Sequence, residues 1–94
     1  MTAPSGDPEV QRLRDQISAV DRALLVAINT RLQLVATLKR HKEEVGLPFV
    51  DSNREAELVD ALVGVNGGPL TDDGLRELYA YLLDLTKREV AQDG

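Results

Sequence analysis

The hydrophobic pattern of this chain predicts one very long helix near its start. Asp7 suits an N-cap, and Pro8 suits the first helical position, where its missing N–H costs nothing. No glycine or further proline follows until Gly46, and Gly46 and Pro48 together end a helix. Apolar residues recur in steps of three and four, at Leu13, Ile17, Val20, Leu24, Ile28, Leu32, Val35 and Leu38. The pattern therefore predicts a helix from Pro8 to about Val45.

The predicted helix is longer than the domain that contains it. At 1.5 Å per residue it would run about 57 Å. A compact globule of this chain length is only about 30 Å across. The apolar stripe then needs cover from another chain, so we expect an intertwined homodimer without a stable folded monomer.

Two shorter helices are predicted after the long one. The second begins at Asp51 or Ser52, and if Ser52 is its cap, Glu55 completes a capping box. A cluster of turn residues over 65–69 ends it. Thr71 then suits the N-cap of a third helix. No segment shows sustained strand alternation, so the predicted class is all-α with three helices.

Composition narrows the class of function. We expect one domain over residues 8–92 and a disordered tail over 1–7. The net charge of −5 and the 3% aromatic content argue against nucleic-acid binding. No apolar run is long enough to cross a membrane, and the acidic start is no signal peptide, so we expect a cytoplasmic protein. With no cysteine and one histidine, His41, we expect no metal site.

Two cations lie on the apolar side of the long predicted helix. Arg31 and Lys42 share that side with Val35 and Leu38, because an eleven-residue offset rotates only about 20° and rises about 16 Å. Their side chains are long enough to converge on one small anion, which would offset the cost of a charge in an apolar seam. Arg14 lies about 25 Å before Arg31, so it would enter only the partner's site. The alternative interpretation is that these side chains extend to solvent or pair with nearby acids.

Three features of the sequence resemble those of the small all-helical chorismate mutases. They are Leu13-Arg14-Asp15-Gln16-Ile17, the pair Arg31 and Lys42 eleven residues apart, and Gly46-Leu47-Pro48-Phe49-Val50-Asp51-Ser52-Asn53-Arg54-Glu55. The Gly-x-Pro…Asp-x-x-Arg-Glu stretch is the most specific of these, and the resemblance runs from about Val10 to Val90. The family consists of intertwined dimers of three-helix chains, which agrees with the expectation from helix length.

The resemblance implies a substrate site shared between two chains. Its positions here are Arg14 of the partner chain with Arg31, Lys42, Asp51, Arg54, Glu55, Thr86 and Val90. Arg31, Lys42 and the partner's Arg14 would grip the two carboxylates of chorismate, and Lys42 would also reach the ether oxygen. Glu55, together with Asp51, would hold the ring hydroxyl, and Arg54 would help to order the site. The catalytic residues implied are Lys42, Arg31 and Glu55.

Val90 departs from the family pattern. Thr86 falls where the family often has a serine that contacts a substrate carboxylate, and four residues later the family carries Gln or Glu facing the ether oxygen. Glu89 and Gln92 lie close by, but a helix aims them 100° and 200° away from Val90. We therefore expect an isomerase that converts chorismate to prephenate without a cofactor, with low intrinsic activity and with room for an activating shikimate-pathway enzyme.

Three alternatives remain open from the sequence. A mutase for 4-amino-4-deoxychorismate would keep the fold, since Asp51 and Glu55 can accept a hydrogen bond from an amine or a hydroxyl. An isochorismate-pyruvate lyase is also built on this fold, but the retention of both carboxylates resembles the mutases. The third alternative is a non-catalytic helical partner that regulates a shikimate-pathway enzyme, which the departure at Val90 favours.

Overall fold

The computed structural model describes residues 6–91, which form three helices and their connections. Helix α1 covers Pro8–Val45, α2 covers Ser52–Val65 and α3 covers Asp72–Ala91. The predicted all-α class is confirmed, and α1 has the predicted bounds. Of the predicted tail, residues 1–5 lie outside the described range, as does Gln92. The chain divides into two units at Gln33 and Leu34, within α1, and each unit is described by itself.

The first unit opens with the N-cap of α1. One carboxylate oxygen of Asp7 accepts hydrogen bonds from the backbone N–H groups of Glu9, at 2.8 Å, and Val10, at 3.3 Å. These groups have no partner within the helix, so the cap satisfies them and confirms the predicted start. Arg12 donates a hydrogen bond to the exposed Glu9 carboxylate at 2.9 Å, which lowers the pKa of Glu9.

In the second unit, a left-handed glycine ends α1. Gly46 has φ +76°, a conformation that only glycine adopts without strain. The N–H of Leu47 donates to the carbonyl of Lys42 at 2.8 Å, and that of Gly46 donates to the carbonyl of Glu43 at 3.4 Å. This pair of bonds is a Schellman motif, which turns the chain sharply at Gly46, about one helical turn after Lys42.

Asp51, rather than Ser52, caps α2. The Asp51 carboxylate accepts from the N–H of Arg54 at 3.1 Å, and its carbonyl accepts from the N–H of Glu55 at 3.1 Å. The capping box that we considered for Ser52 and Glu55 is therefore wrong, because the aspartate one residue earlier already supplies the cap. With Asp51 as the cap, Arg54 occupies the capping-box position and Glu55 lies one residue beyond it. The side chain of Glu55 can therefore pair with another residue.

The connection between α2 and α3 is held by an asparagine and a threonine. The Asn66 side chain donates to the carbonyl of Leu70 at 2.8 Å and accepts from the N–H of Gly68 at 3.0 Å. The Thr71 hydroxyl accepts from the N–H of Gly74 at 2.9 Å, which confirms Thr71 as the predicted N-cap of α3. The short connection brings α3 back along α2.

Helices α2 and α3 pack against each other. Two ion pairs join them, from Lys87 to Glu55 at 3.0 Å and from Arg76 to Asp60 at 3.2 Å. Among the described residues, the buried ones all lie on α3: Leu75, Thr86 and Val90. None of the helices within residues 6–91 is long and apolar enough to span a membrane.

Candidate active site

The ammonium group of Lys42 is held at the connection between α1 and α2. Lys42 lies in the last turn of α1 and is half-buried. Its Nζ donates a hydrogen bond to the backbone carbonyl of Phe49 at 3.2 Å. An ammonium group has three donors, so two remain for a ligand. The turn at Gly46 makes this bond possible, because it brings residue 49 back toward the end of the helix.

Lys42 lines an open cleft beside that connection, which we call the connection cleft. Its volume is about 460 Å³, and its lining residues are Lys42, Leu47, Pro48, Val50, Asp51, Ser52 and Asn53. Volumes of this size are typical of small-molecule sites. The cleft brings together a cation, Lys42, and a carboxylate, Asp51. One oxygen of Asp51 already accepts from the N–H of Arg54, so Asp51 caps α2 whatever else it does.

Glu55 faces a different, neighbouring cleft. This second cleft has a volume of about 390 Å³ and is lined by Ser52, Glu55, Ala56, Val59, Asp60, Arg76, Ala80 and Leu83. Ser52 lines both clefts, so they adjoin at the first turn of α2. The structure thus places Lys42 and Asp51 in one cleft and Glu55 in the next.

Lys87 is the partner of Glu55, and sequence reasoning missed it. Its Nζ lies 3.0 Å from each of the two carboxylate oxygens of Glu55. The two residues are 32 positions apart on different helices, so no helical spacing indicates the pair. The only signal in the sequence is that Lys87 directly follows Thr86, a residue predicted to contact substrate.

Thr86 and Val90 form a buried patch on α3. They are 4% and 3% exposed, and their four-residue spacing places them on one face of the helix. The Thr86 hydroxyl donates to the carbonyl of Leu82 at 2.7 Å. A substrate carboxylate at Thr86 would have to compete with that carbonyl for the hydroxyl proton. Val90 contributes only apolar surface.

The remaining predicted site residues are arginines. Arg54 is exposed in the first turn of α2, beside Asp51. In the first unit, Arg14 is exposed and Arg31 is half-buried. Within the second unit, the structure thus brings together Lys42, Asp51 and Arg54 around the start of α2.

Comparison with known proteins identifies the family. Residues 13–90 match the family model described as chorismate mutase type II. The chain belongs to this family. It is also similar to two forms of chorismate mutase from Thermus thermophilus. Form I is 32% identical with a TM-score of 0.81, and the match covers 83% of this chain and 98% of that one. Form II is 30% identical with a TM-score of 0.84, covering 88% and 94%.

A third similarity is to part of a longer protein. The T-protein of Enterobacter agglomerans is 45% identical over 51 residues, which is 54% of this chain but only 14% of that protein. Together the matches confirm the predicted chorismate mutase, an isomerase, and they do not favour the three alternatives. In the part of the chain that the structure describes, no group of His, Cys, Asp or Glu side chains is arranged to hold a metal ion.

Proposed function

We propose that this domain converts chorismate to prephenate by holding the reactive conformer and stabilising charge on the ether oxygen. In this intramolecular [3,3] rearrangement the ether C–O bond breaks as a new C–C bond forms. No proton transfer is needed, so positioning and electrostatics supply the catalysis. The observation that supports the proposal most is the Lys42 ammonium, half-buried and pinned at 3.2 Å to the Phe49 carbonyl beside the connection cleft.

Lys42 is the group we assign to the ether oxygen. Negative charge grows on that oxygen as its bond to carbon breaks, so attraction to a fixed cation is stronger in the transition state than in the bound substrate. The bond to Phe49 orients the ammonium before substrate arrives, and the reorganisation cost at the moment of reaction is correspondingly small.

We assign the substrate carboxylates to arginines. Arg31, together with Lys42 and the partner's Arg14, would hold the two carboxylates in the diaxial conformer. Guanidinium groups bind carboxylates through two parallel hydrogen bonds, which fixes geometry as well as charge. Thr86 would contact one carboxylate, and Arg54 would order the site from the start of α2.

We assign the ring hydroxyl to the two carboxylates at the start of α2. Asp51 caps the helix with one oxygen and keeps a second oxygen available to a donor. Glu55 is tied to Lys87, yet its two oxygens together offer about four acceptor positions, so it too can accept from the hydroxyl. Of the two, Glu55 is the stronger candidate by the family pattern.

The proposed enzyme is a homodimer with shared sites. Although α1 has 38 residues, none of them is buried. In the first unit, four residues of its apolar stripe are 43–66% exposed: Leu13, Ile17, Val20 and Leu24. A second copy of the chain offers the same apolar stripe. Burying the two stripes against each other stabilises the dimer by about 25 cal/mol per Å² of apolar surface removed from water.

We further propose a cytoplasmic role in aromatic amino acid biosynthesis and a low rate for the free enzyme. The low rate follows from Val90, which leaves Lys42 as the only assigned group at the ether oxygen. An enzyme of the shikimate pathway that binds this domain and restores the rate would be its regulatory partner.

The test is an assay of purified chain on chorismate, with substrate and product resolved by chromatography. Prephenate should form, and Lys42→Ala should lower kcat/KM at least a hundredfold, the scale for loss of an oxyanion donor. Lys39→Ala is the matched control, since Lys39 is also a half-buried lysine of α1 but pairs with Glu43 at 3.4 Å. Absence of prephenate, or equal rates for both variants, would contradict the proposal.

A further inference from the structure

The Lys87–Glu55 ion pair joins α2 and α3 beside the proposed substrate site. The Lys87 ammonium sits symmetrically on the carboxylate, 3.0 Å from each oxygen of Glu55. The side chain of Lys87 is 36% exposed and that of Glu55 is 28% exposed. Both ends of the pair therefore remain within reach of solvent and of a ligand.

Stability does not explain this pair well. Ion pairs with this much solvent contact contribute little to the free energy of unfolding. Arg76 and Asp60 form another ion pair between the same helices, at 3.2 Å, and it already connects them. The side chain of Arg76 is 51% exposed and that of Asp60 is 69% exposed. What distinguishes the Lys87 pair is that it engages both oxygens of Glu55 and so limits the rotamers of a flexible side chain.

We propose that Lys87 is a positioning and specificity-determining residue that acts through Glu55. It holds the carboxylate ready for a neutral hydroxyl on the substrate ring and disfavours a positively charged group at the same ring position. This inference rests on the proposed function, in which Glu55 meets the ring substituent of the substrate.

The chemistry follows from charge and from lone pairs. A hydroxyl needs only an acceptor, and one ammonium on a carboxylate leaves acceptor positions unused. A ring ammonium is attracted by an unpaired carboxylate, but the Lys87 charge, about 6 Å away across the carboxylate, repels it. Because about a third of each side chain is exposed, water screens this repulsion almost as strongly as in bulk solvent. The repulsion then corresponds to a preference of about three- to tenfold for the hydroxyl over the ammonium.

The experiment compares two substrates that differ at this ring position. These are chorismate, with its hydroxyl, and 4-amino-4-deoxychorismate, with an amine. For each protein we would measure kcat/KM for both, using the inhibition constant of the amine where its turnover is too slow. Lys87→Met removes the charge and keeps the length of the side chain, and Lys87→Gln is a second neutral variant if the first folds poorly. Lys87→Arg keeps the charge.

We expect Lys87→Met to lower kcat/KM for chorismate about three- to tenfold and to shift the ratio between substrates toward the amine by a similar factor. Lys87→Arg should restore the wild-type ratio. Arg88→Met is the matched control, because Arg88 is the next cation of α3, pairs with Asp84 at 3.2 Å within that helix and lines neither cleft. It should leave the ratio unchanged and should lower the midpoint of thermal unfolding about as much as Lys87→Met does.

A double mutant tests whether Lys87 acts through Glu55. In a Glu55→Gln background, Lys87→Met should lower kcat/KM for chorismate no further, because no carboxylate remains for Lys87 to hold. The direct repulsion between Lys87 and a ring ammonium keeps part of the shift in the ratio. An active wild type whose ratio is unchanged in both neutral Lys87 variants would overturn this inference and leave the proposed function standing. A loss of kcat/KM for chorismate that is undiminished in the Glu55→Gln background would also overturn it. A wild type that converts neither substrate would instead remove the proposed function.

Discussion

Replacing Val90 with glutamine tests two quantities: how much rate the missing donor costs, and how much stability a buried amide costs. Val90 is 3% exposed, on the same face of α3 as Thr86. The family resemblance puts an amide or carboxyl at this position, facing the ether oxygen of the substrate. We expect Val90→Gln to raise kcat for chorismate and to destabilise the protein when no substrate is bound.

The expected gain in kcat and the expected loss of stability have different physical origins. A well-placed donor at a developing oxyanion contributes about 3–4 kcal/mol, so the ceiling on the gain is roughly a hundred- to a thousandfold in kcat. A substituted side chain will not reach ideal geometry, and an increase of about tenfold is a reasonable expectation. An unpaired buried amide costs about 1–3 kcal/mol. For a domain of this size, each kcal/mol shifts the unfolding midpoint by about 4–8 °C.

The assay is steady-state kinetics on chorismate, combined with thermal unfolding of the same preparations. Val90→Leu is the matched control, because it adds volume at a buried position without adding an amide. It should also lower the unfolding midpoint, since buried sites tolerate extra methylenes poorly, but it should not raise kcat. A fast wild-type enzyme that Val90→Gln fails to improve would refute the reasoning. In that case another group, such as Glu89 or a water molecule, already serves the ether oxygen.

Two further predictions concern assembly. Sedimentation at micromolar concentration should give about twice the chain mass of 10.3 kDa, because the exposed stripe of α1 needs cover; a well-folded monomer would contradict the homodimer. Mixing an Arg14→Ala chain with an Arg31→Ala chain should restore some activity, since some heterodimer sites would carry neither change; exchanged mixtures as inactive as either parent would show that Arg14 does not act across the interface.

The helix bounds were largely predictable because their signals are local. Asp7, Gly46 and Thr71 act through hydrogen bonds to residues within five positions, and each one was identified from the sequence. The sequence does not decide between Asp51 and Ser52 as the N-cap of α2, because both are strong capping residues and they are adjacent. The structure places Asp51 at this N-cap.

The surroundings of Glu55 were not predictable from the chain alone. Its ion pair depends on how α3 returns along α2, and that return is determined by the turn over 65–71 rather than by any periodicity. Once the helices are packed, Lys87 falls opposite Glu55, and Arg76 falls opposite Asp60. Charge pairs between elements far apart in sequence carry no spacing signal, whereas caps do.

The burial of Val90 also constrains how a partner enzyme would activate this mutase. An activator that moves the end of α3 must expose Val90, and the burial of a valine side chain contributes about 1.5–3 kcal/mol. A ligand shifts a conformational equilibrium only by its difference in affinity for the two states. Such an activator would therefore have to bind the shifted state roughly ten- to a hundredfold more tightly. Val90→Ala lowers that cost, so under this mechanism the activator should bind the variant more tightly than wild type. Equal affinities would mean that activation leaves the end of α3 in place.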